Sequence, residues 1–370
     1  MKGDAAKIAR LIYNPKDRIY SEEIRRFQGC TTVAVTKGGR IYLGWYSGGD
    51  REPHIDNYNL LVYSDDKGKT FSSELLVIPG SRDHSIQSLD IQLWVDGDGA
   101  LHVYWVQNDV SPALKNPPPL HPTKPRMTIG NYMFDDCTHA WWESVCRDPD
   151  ANEPIFEEPR YLGIGFLRCK PLVMDNGETV FFNYDQLCDR YGYTLVSADG
   201  KTRERLYGAE KIPVKFDETM AYQLKDGRVR MLARSLENGI VESYSADRAR
   251  SWSEARPTGI KSPNTRFFVS RTPSGRVMLI HNDHDTVRTD MTVLLSDDDG
   301  ATWSWGTVID RAEGISYPDA DFLGESIVLT YDRCRTAQGE IMLTVFNEDD
   351  VINGTVPTPW VISKNGKQPL

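Results

Sequence analysis

No uninterrupted apolar stretch in this chain of 370 residues approaches the roughly 20 needed for a membrane-crossing helix. The opening residues, Met1-Lys2-Gly3-Asp4-Ala5-Ala6-Lys7, lack the long apolar run of a secretory signal. Cysteine is scarce and scattered. Cys30, Cys137, Cys146, Cys169, Cys188 and Cys334 show no CxxC spacing, which argues against a disulfide framework and for free thiols. A cytoplasmic protein without a membrane partner is expected. Excess positive charge is also missing: 43 Lys and Arg against 53 Asp and Glu give a formal net charge of −10. Such a chain is a poor partner for nucleic acid, and its acidic surface reads as a solubility device. Helical periodicity is weak, βαβ alternation is absent, and no GxSxG, Walker or dinucleotide fingerprint occurs.

What the chain does have is repetition. An apolar strand, a turn with Gly and a second apolar or aromatic strand appear as TTVAVTKGGRIYLGWY from Thr31 and DIQLWVDGDGALHVYWV from Asp90. The pattern returns as KPLVMDNGETVFFNY from Lys170, TMAYQLKDGRVRMLAR from Thr219, RFFVSRTPSGRVMLIHN from Arg266 and DADFLGESIVLTYDR from Asp319. The turn glycines, Gly39, Gly99, Gly177, Gly227, Gly275 and Gly324, are separated by 60, 78, 50, 48 and 49 residues. Each unit reads as a β-hairpin, and a spacing near 50 leaves room for two further strands, which makes a four-stranded propeller blade. The expected fold is all-β: one six-bladed β-propeller domain over 1–370, with an insertion at about 109–160. A pair of β-sandwiches or a β-helix is the competing architecture.

The insertion holds Pro117-Pro118-Pro119, Pro122 and Pro125, which disfavour strand pairing. After these prolines, within the insertion, Phe134 to Asp148 is expected to form a short helix or lid, with Trp141 and Trp142 as a sugar-stacking platform or as core. Cys137, His139 and Cys146 in this stretch fit no strong zinc pattern, so packed side chains are the better reading.

A second motif follows several hairpins. Ser64-Asp65-Asp66-Lys67-Gly68-Lys69-Thr70-Phe71 and Ser296-Asp297-Asp298-Asp299-Gly300-Ala301-Thr302-Trp303 share the form S-x-D-x-G-x-T-aromatic. A weaker copy at Ser245–Trp252 has Ala249 and Ser251 in place of Gly and Thr, and Ser197–Thr202 is one residue short. Such a turn satisfies itself, because the Asp and Ser side chains cap backbone N–H groups while the aromatic anchors the turn in the blade. These copies, interleaved with the repeats, resemble the Asp-box (BNR repeat) sialidase-like superfamily from Phe27 to Asp350. Members of that superfamily are six-bladed propellers, mostly exo-sialidases, with relatives that cleave other sugars.

The resemblance implies a retaining, exo-acting glycosidase that removes a terminal, acidic sugar from a carbohydrate substrate, with no cofactor and no metal. In that family three arginines clamp the substrate carboxylate, a Tyr–Glu pair supplies the nucleophile, and an Asp is the acid/base. Gly314-Ile315-Ser316-Tyr317-Pro318-Asp319 resembles the nucleophile motif and assigns that role to Tyr317. A neutral phenol avoids the charge repulsion a carboxylate nucleophile would meet beside an anionic anomeric centre. Glu218 in Asp217-Glu218-Thr219 is its base, and Arg234 and Arg288 match two clamp arginines, whose planar forks suit a carboxylate. The loop from Ser47 to Asp56 is where the family carries its acid/base, with Asp56 the first choice and Asp50 in reserve. Gly29 falls where the family has its first arginine, which leaves the neighbouring Arg26 as a candidate only if the strand shifts register. His54 and His84 lie in loops on the same expected face, and Asp332, Arg333 and Arg335 follow the last hairpin, lining the site or pairing with one another. Two other functions compete: a polysaccharide lyase or hydrolase directed at uronic acid, and a non-catalytic glycan-binding propeller.

Overall fold

A computed structural model describes residues 9–54, 56–82, 85–110, 120–121, 124–128, 138–184, 191–208, 218–235 and 239–366. Six antiparallel sheets stand around a common axis as the blades of a β-propeller. Blade one is Gln28–Val35, Ile41–Ser47, Tyr58–Ser64 and Leu76–Pro79, with Ile12–Tyr13 added at its outer edge. Blade two is Ile86–Val95, Leu101–Asp109, Thr138–Cys146 and Arg160–Ile164, and blade three Leu172–Val173, Thr179–Phe181, Gly192–Val196 and Arg203–Tyr207. Blade four follows as Thr219–Gln223, Val229–Arg234, Ile240–Ser245 and Arg256–Pro257, and blade five as Phe268–Arg271, Val277–Asn282, Met291–Ser296 and Trp305–Asp310. Blade six, Ile315–Leu323, Ser326–Arg333, Glu340–Phe346 and Trp360–Ser363, ends the circle.

The sequence repeats map onto the blades one to one. Each repeated hairpin is the first two strands of a blade, and all six turn glycines take positive φ, from 62° at Gly324 to 98° at Gly99. Second strands such as Val277–Asn282 are buried at every residue, because each blade is covered on both faces by its neighbours. The core joining blades four, five and six includes Leu232, Phe267, Leu279, Ile280, Leu329 and Tyr331.

The S-x-D turns hold themselves together as the side-chain chemistry requires. In the first copy the Ser64 hydroxyl donates to Asp66 Oδ1 at 2.8 Å and accepts from the Gly68 N–H at 2.9 Å. Thr70 donates its N–H and its hydroxyl to Asp66 at 2.9 and 2.7 Å. The copy at Ser296 repeats these bonds, and the copy at Ser245 keeps them with Ala249 at φ 63° in the glycine's place.

The expectation of a helix or lid at Phe134–Asp148 is corrected over its described residues, 138–148. Thr138–Cys146 is the third strand of blade two and pairs with Leu101–Asp109 along its whole length. Trp141 and Trp142 are each 1% exposed, with Trp142 stacked on Trp105, so they are core and carry no sugar platform. His139 packs edge-on against Phe166, Cys146 is buried, and Cys137 lies outside the described residues.

Candidate functional site

Three innermost strands carry a bulge at the same height. Pairing with the second strand slips between Gly29 and Thr32 in blade one, between Leu89 and Gln92 in blade two, and between Ser316 and Asp319 in blade six. Inside these bulges Cys30, Asp90 and Tyr317 adopt φ of 55°, 60° and 57°. Left-handed backbone costs a non-glycine residue about 1–2 kcal/mol, and a bulge re-aims the side chain it carries. The other blades deliver Arg168, Glu218 and Arg266 from just before their innermost strands. Arg168 pairs with Asp90, and its guanidinium carbon lies 4.9 Å from the centre of the Tyr317 ring. Arg266 lies 5.3 Å from that ring and donates to the Pro318 carbonyl at 2.9 Å. The apolar wall around the phenol is Phe27, Cys30, Tyr46, Leu89, Phe166 and Tyr184.

At the middle, the Tyr317 hydroxyl donates to Glu218 Oε1 at 2.5 Å. Arg234 Nη1 donates to Glu218 Oε2 at 2.7 Å and to the Tyr317 oxygen at 3.1 Å, and its Nε is held by Asn264 Oδ1 at 2.6 Å. Tyr317 is 6% and Glu218 2% exposed. Burial pushes the Tyr317 hydroxyl above its ordinary pKa and the Glu218 charge adds to that, against the pull of Arg234 and Arg168. Burial would raise Glu218 as well, but Arg234, Arg168 and the Tyr317 hydrogen bond outweigh it and hold the carboxyl at about 2. A protonated phenol therefore faces a carboxylate, the arrangement needed for a proton to pass as the phenol attacks.

Four of the residues singled out in the sequence meet here: Tyr317, Glu218, Arg234 and Arg288. Arg288 lies 5.7 Å from the Tyr317 ring and donates to the Asn264 carbonyl at 3.3 Å. Of the rest, Asp332 and Arg335 also reach the cluster, and Arg26, Asp50, Asp56 and Arg333 are placed elsewhere. Arg26 is exposed, and the buried arginine next to it, Arg25, is tied to Glu74 and the Tyr20 carbonyl, so no register shift brings Arg26 inward. Asp56 is exposed, 3.5 Å from His54 Nδ1, and Asp50 pairs with its neighbour Arg51 at 3.2 Å. His84 lies outside the described residues. Arg333 turns to Glu340 at 2.6 Å.

Other side chains in the cluster were not singled out as acting residues. Glu52, on the loop that carries Asp50 and Asp56, reaches Arg335 and the Tyr46 hydroxyl and lies 3.5 Å from the Cys30 sulfur. The Cys30 thiol is pushed up to about 12 by burial, which keeps it protonated. Arg335 Nε donates to Asp332 Oδ1 at 3.0 Å, and its guanidinium carbon lies 4.1 Å from the Tyr317 ring. A signal for the inner ring was present in the sequence. Cys30, Asp90, Arg168, Glu218 and Arg266 each stand nine residues before their turn glycine, and Tyr317 stands seven before Gly324. Among the described residues, no group of three His, Cys, Asp or Glu side chains is placed to hold a metal.

Among solved structures, the NanB sialidase from Streptococcus pneumoniae is similar over 97% of this chain and 69% of its own, with 15% identity and a TM-score of 0.66. The intramolecular trans-sialidase from Ruminococcus gnavus, solved with oseltamivir carboxylate, is similar over 93% and 98%, with 12% identity and a TM-score of 0.66. The Hadza microbial sialidase Hz136 is similar over 88% of this chain, with 15% identity and a TM-score of 0.62, and this chain spans 66% of its length. At these identities the likeness is one of fold. No curated protein matches the sequence. The family model described as a BNR repeat-like domain matches residues 139–327, just over half of the chain and reaching from the third strand of blade two into blade six. The chain belongs to the BNR repeat-like domain family.

Proposed function

We propose that this protein is a retaining exo-glycosidase of sialidase type, acting on a terminal sugar that bears a carboxylate. The observation that carries the reading is the triangle of Tyr317, Glu218 and Arg234, in which the phenol donates to the carboxylate at 2.5 Å while one guanidinium nitrogen touches both. Tyr317 attacks the anomeric carbon as Glu218 takes the phenolic proton. A carboxyl group of the loop between the second and third strands of blade one protonates the departing oxygen. Glu52 is assigned that task in preference to Asp56, because Glu52 reaches the cluster and Asp56 faces solvent beside His54. Water then opens the glycosyl–tyrosine bond from the same side, with Glu52 as base and Glu218 returning the proton, so the anomeric configuration is retained. Arg234 and Arg288 receive the carboxylate.

A screen of aryl sialosides, uronides and plain hexosides tests the reading. An aryl sialoside is expected to be turned over with retention, and Tyr317→Phe to lower kcat at least about 10³-fold. Full turnover by Tyr317→Phe on the best substrate, or an unsaturated uronide as product, overturns it.

A further inference from the structure

Gly29 stands where the resemblance calls for an arginine, and what fills the space beside it is another arginine. A methyl group added to Gly29 would lie 2.7 Å from Cδ and 2.9 Å from Cγ and Nε of Arg335. The absence of a side chain on the innermost strand of blade one is thus what lets Arg335 pass inward from blade six. Its guanidinium comes to 4.1 Å from the Tyr317 ring centre, nearer than those of Arg168, Arg266 and Arg288. Two carboxylates hold it, and they differ in kind. Asp332 is wholly buried and fixed by the Cys30 N–H at 2.7 Å and the Ser316 hydroxyl at 2.8 Å. Glu52 has a side chain 32% exposed, on a loop that begins with Gly48 and Gly49 at φ of 89° and 68°.

We propose that Arg335 is an anion-binding arginine of this site, admitted by Gly29, and that Glu52 is an internal anion displaced by the substrate carboxylate. The inference rests on the glycosidase reading of the same site. Asp332 pairs the Nε edge of Arg335, and Glu52 keeps the Nη1 edge paired until a substrate carboxylate takes its place, because an unpaired edge of a buried guanidinium is costly. Exchange of one carboxylate for another leaves the charge count at Arg335 unchanged, and the fork accepts either in the same geometry. Glu52, once released from the guanidinium, takes up a proton from solvent and turns to the leaving oxygen as a neutral acid. Recognition of the carboxylate is thereby coupled to delivery of the proton, and a sugar without one leaves Glu52 pinned to Arg335.

Calorimetric titration with oseltamivir carboxylate and with its ethyl ester, in which only the carboxylate is masked, reads the proposal as a ratio of affinities. Wild type is expected to favour the carboxylate. Arg335→Lys and Gly29→Ala are each expected to shrink that preference about tenfold, the scale of one charged hydrogen bond. Glu52→Gln removes the competing anion and is expected to enlarge the preference several-fold. An unchanged ratio in both Arg335→Lys and Gly29→Ala, a smaller ratio in Glu52→Gln, or no preference in wild type overturns the proposal. A melting scan of each variant accompanies the titration; Arg335→Lys keeps the charge, so it serves if Gly29→Ala fails to fold. Binding needs no turnover, so the ratio is read whether or not any substrate is turned over. Failure of the glycosidase reading, seen in turnover, is thus distinguishable from failure of this one.

Discussion

Glu218 is asked to be a base while two arginines hold its carboxyl at about 2. So weak a base takes no proton from the resting phenol, which burial keeps protonated, and accepts one only as the Tyr317 oxygen bonds to carbon and turns acidic. Glu218→Gln keeps the shape and removes that capacity, so kcat is expected to fall about 10²–10⁴-fold. The same substitution has a signature in stability. The folded pKa lies below the ordinary 4.5, so the charged carboxylate stabilises the fold fully above that value. The contribution is lost as the pH falls from 4.5 towards about 2. Denaturant titrations across that interval are expected to show wild type losing stability relative to Glu218→Gln. Parallel profiles would mean that Glu218 is not the charged partner of Arg234 and Arg168.

Among the elements, hairpins and S-x-D turns were legible because their determinants are local: alternation at period two, a turn glycine and side chains that cap the backbone nearest to them. The order of Glu218, Arg234, Arg288 and Tyr317 was legible through the resemblance of their motifs to those of the sialidase-like superfamily, not through the repeat. The inward turn of Glu52 was not, and the sequence pointed to Asp56 and Asp50 instead, because a glycine-led loop sets which carboxyl turns inward without any periodicity. From the sequence, Arg335 reads only as lining the site or pairing with its neighbours, because its reach is decided by a missing Cβ at Gly29, at the other end of the chain. The tryptophan pair misled through its setting among prolines and charges, although Trp141 and Trp142 face opposite sides of one buried strand, each covered by a neighbouring blade. A turn determinant is directly testable at Gly300, where φ is 78° and an added methyl would sit 2.5 Å from Arg230 Nη1 and 2.6 Å from the Tyr222 hydroxyl. Gly300→Ala meets both an unfavourable backbone and a collision, and is expected to lower unfolding free energy by roughly 1–3 kcal/mol in urea. A change within error would show that the blade accommodates the turn freely.

At the scale of the whole molecule, blades one and six must be joined, yet neither borrows a strand from the other. The seam is polar. From the innermost strand of blade six, Asp319 accepts from the Thr32 hydroxyl at 2.6 Å and the Val33 N–H at 3.0 Å, and Asp321 accepts from the Val35 N–H at 3.0 Å. Asp332 receives the Cys30 N–H, and Thr31 bonds Thr330 at 3.0 Å. Asp319 also takes Lys170 at 2.9 Å and Gln92 at 3.3 Å, so one carboxylate ties the start of blade three and the inner strands of blades one and two to blade six. Beyond that pair the axis opens to a cavity of about 790 Å³, lined by Lys170, Gln223, Arg271 and Asp321, on the side away from Tyr317. Asp319→Ala strips the seam of an acceptor and leaves Lys170 without its counter-charge, and is expected to cost about 3–5 kcal/mol. Asp319→Asn keeps an oxygen for Val33 and isolates only the charge, so combining it with Lys170→Met separates the two causes. If the ion pair matters for its charge balance, the double variant recovers most of the stability that Asp319→Asn loses, since replacing both members of a buried pair is often close to neutral. If the two losses simply add in chemical denaturation, the carboxylate closes the ring through its backbone partners alone, and Lys170 is incidental to closure.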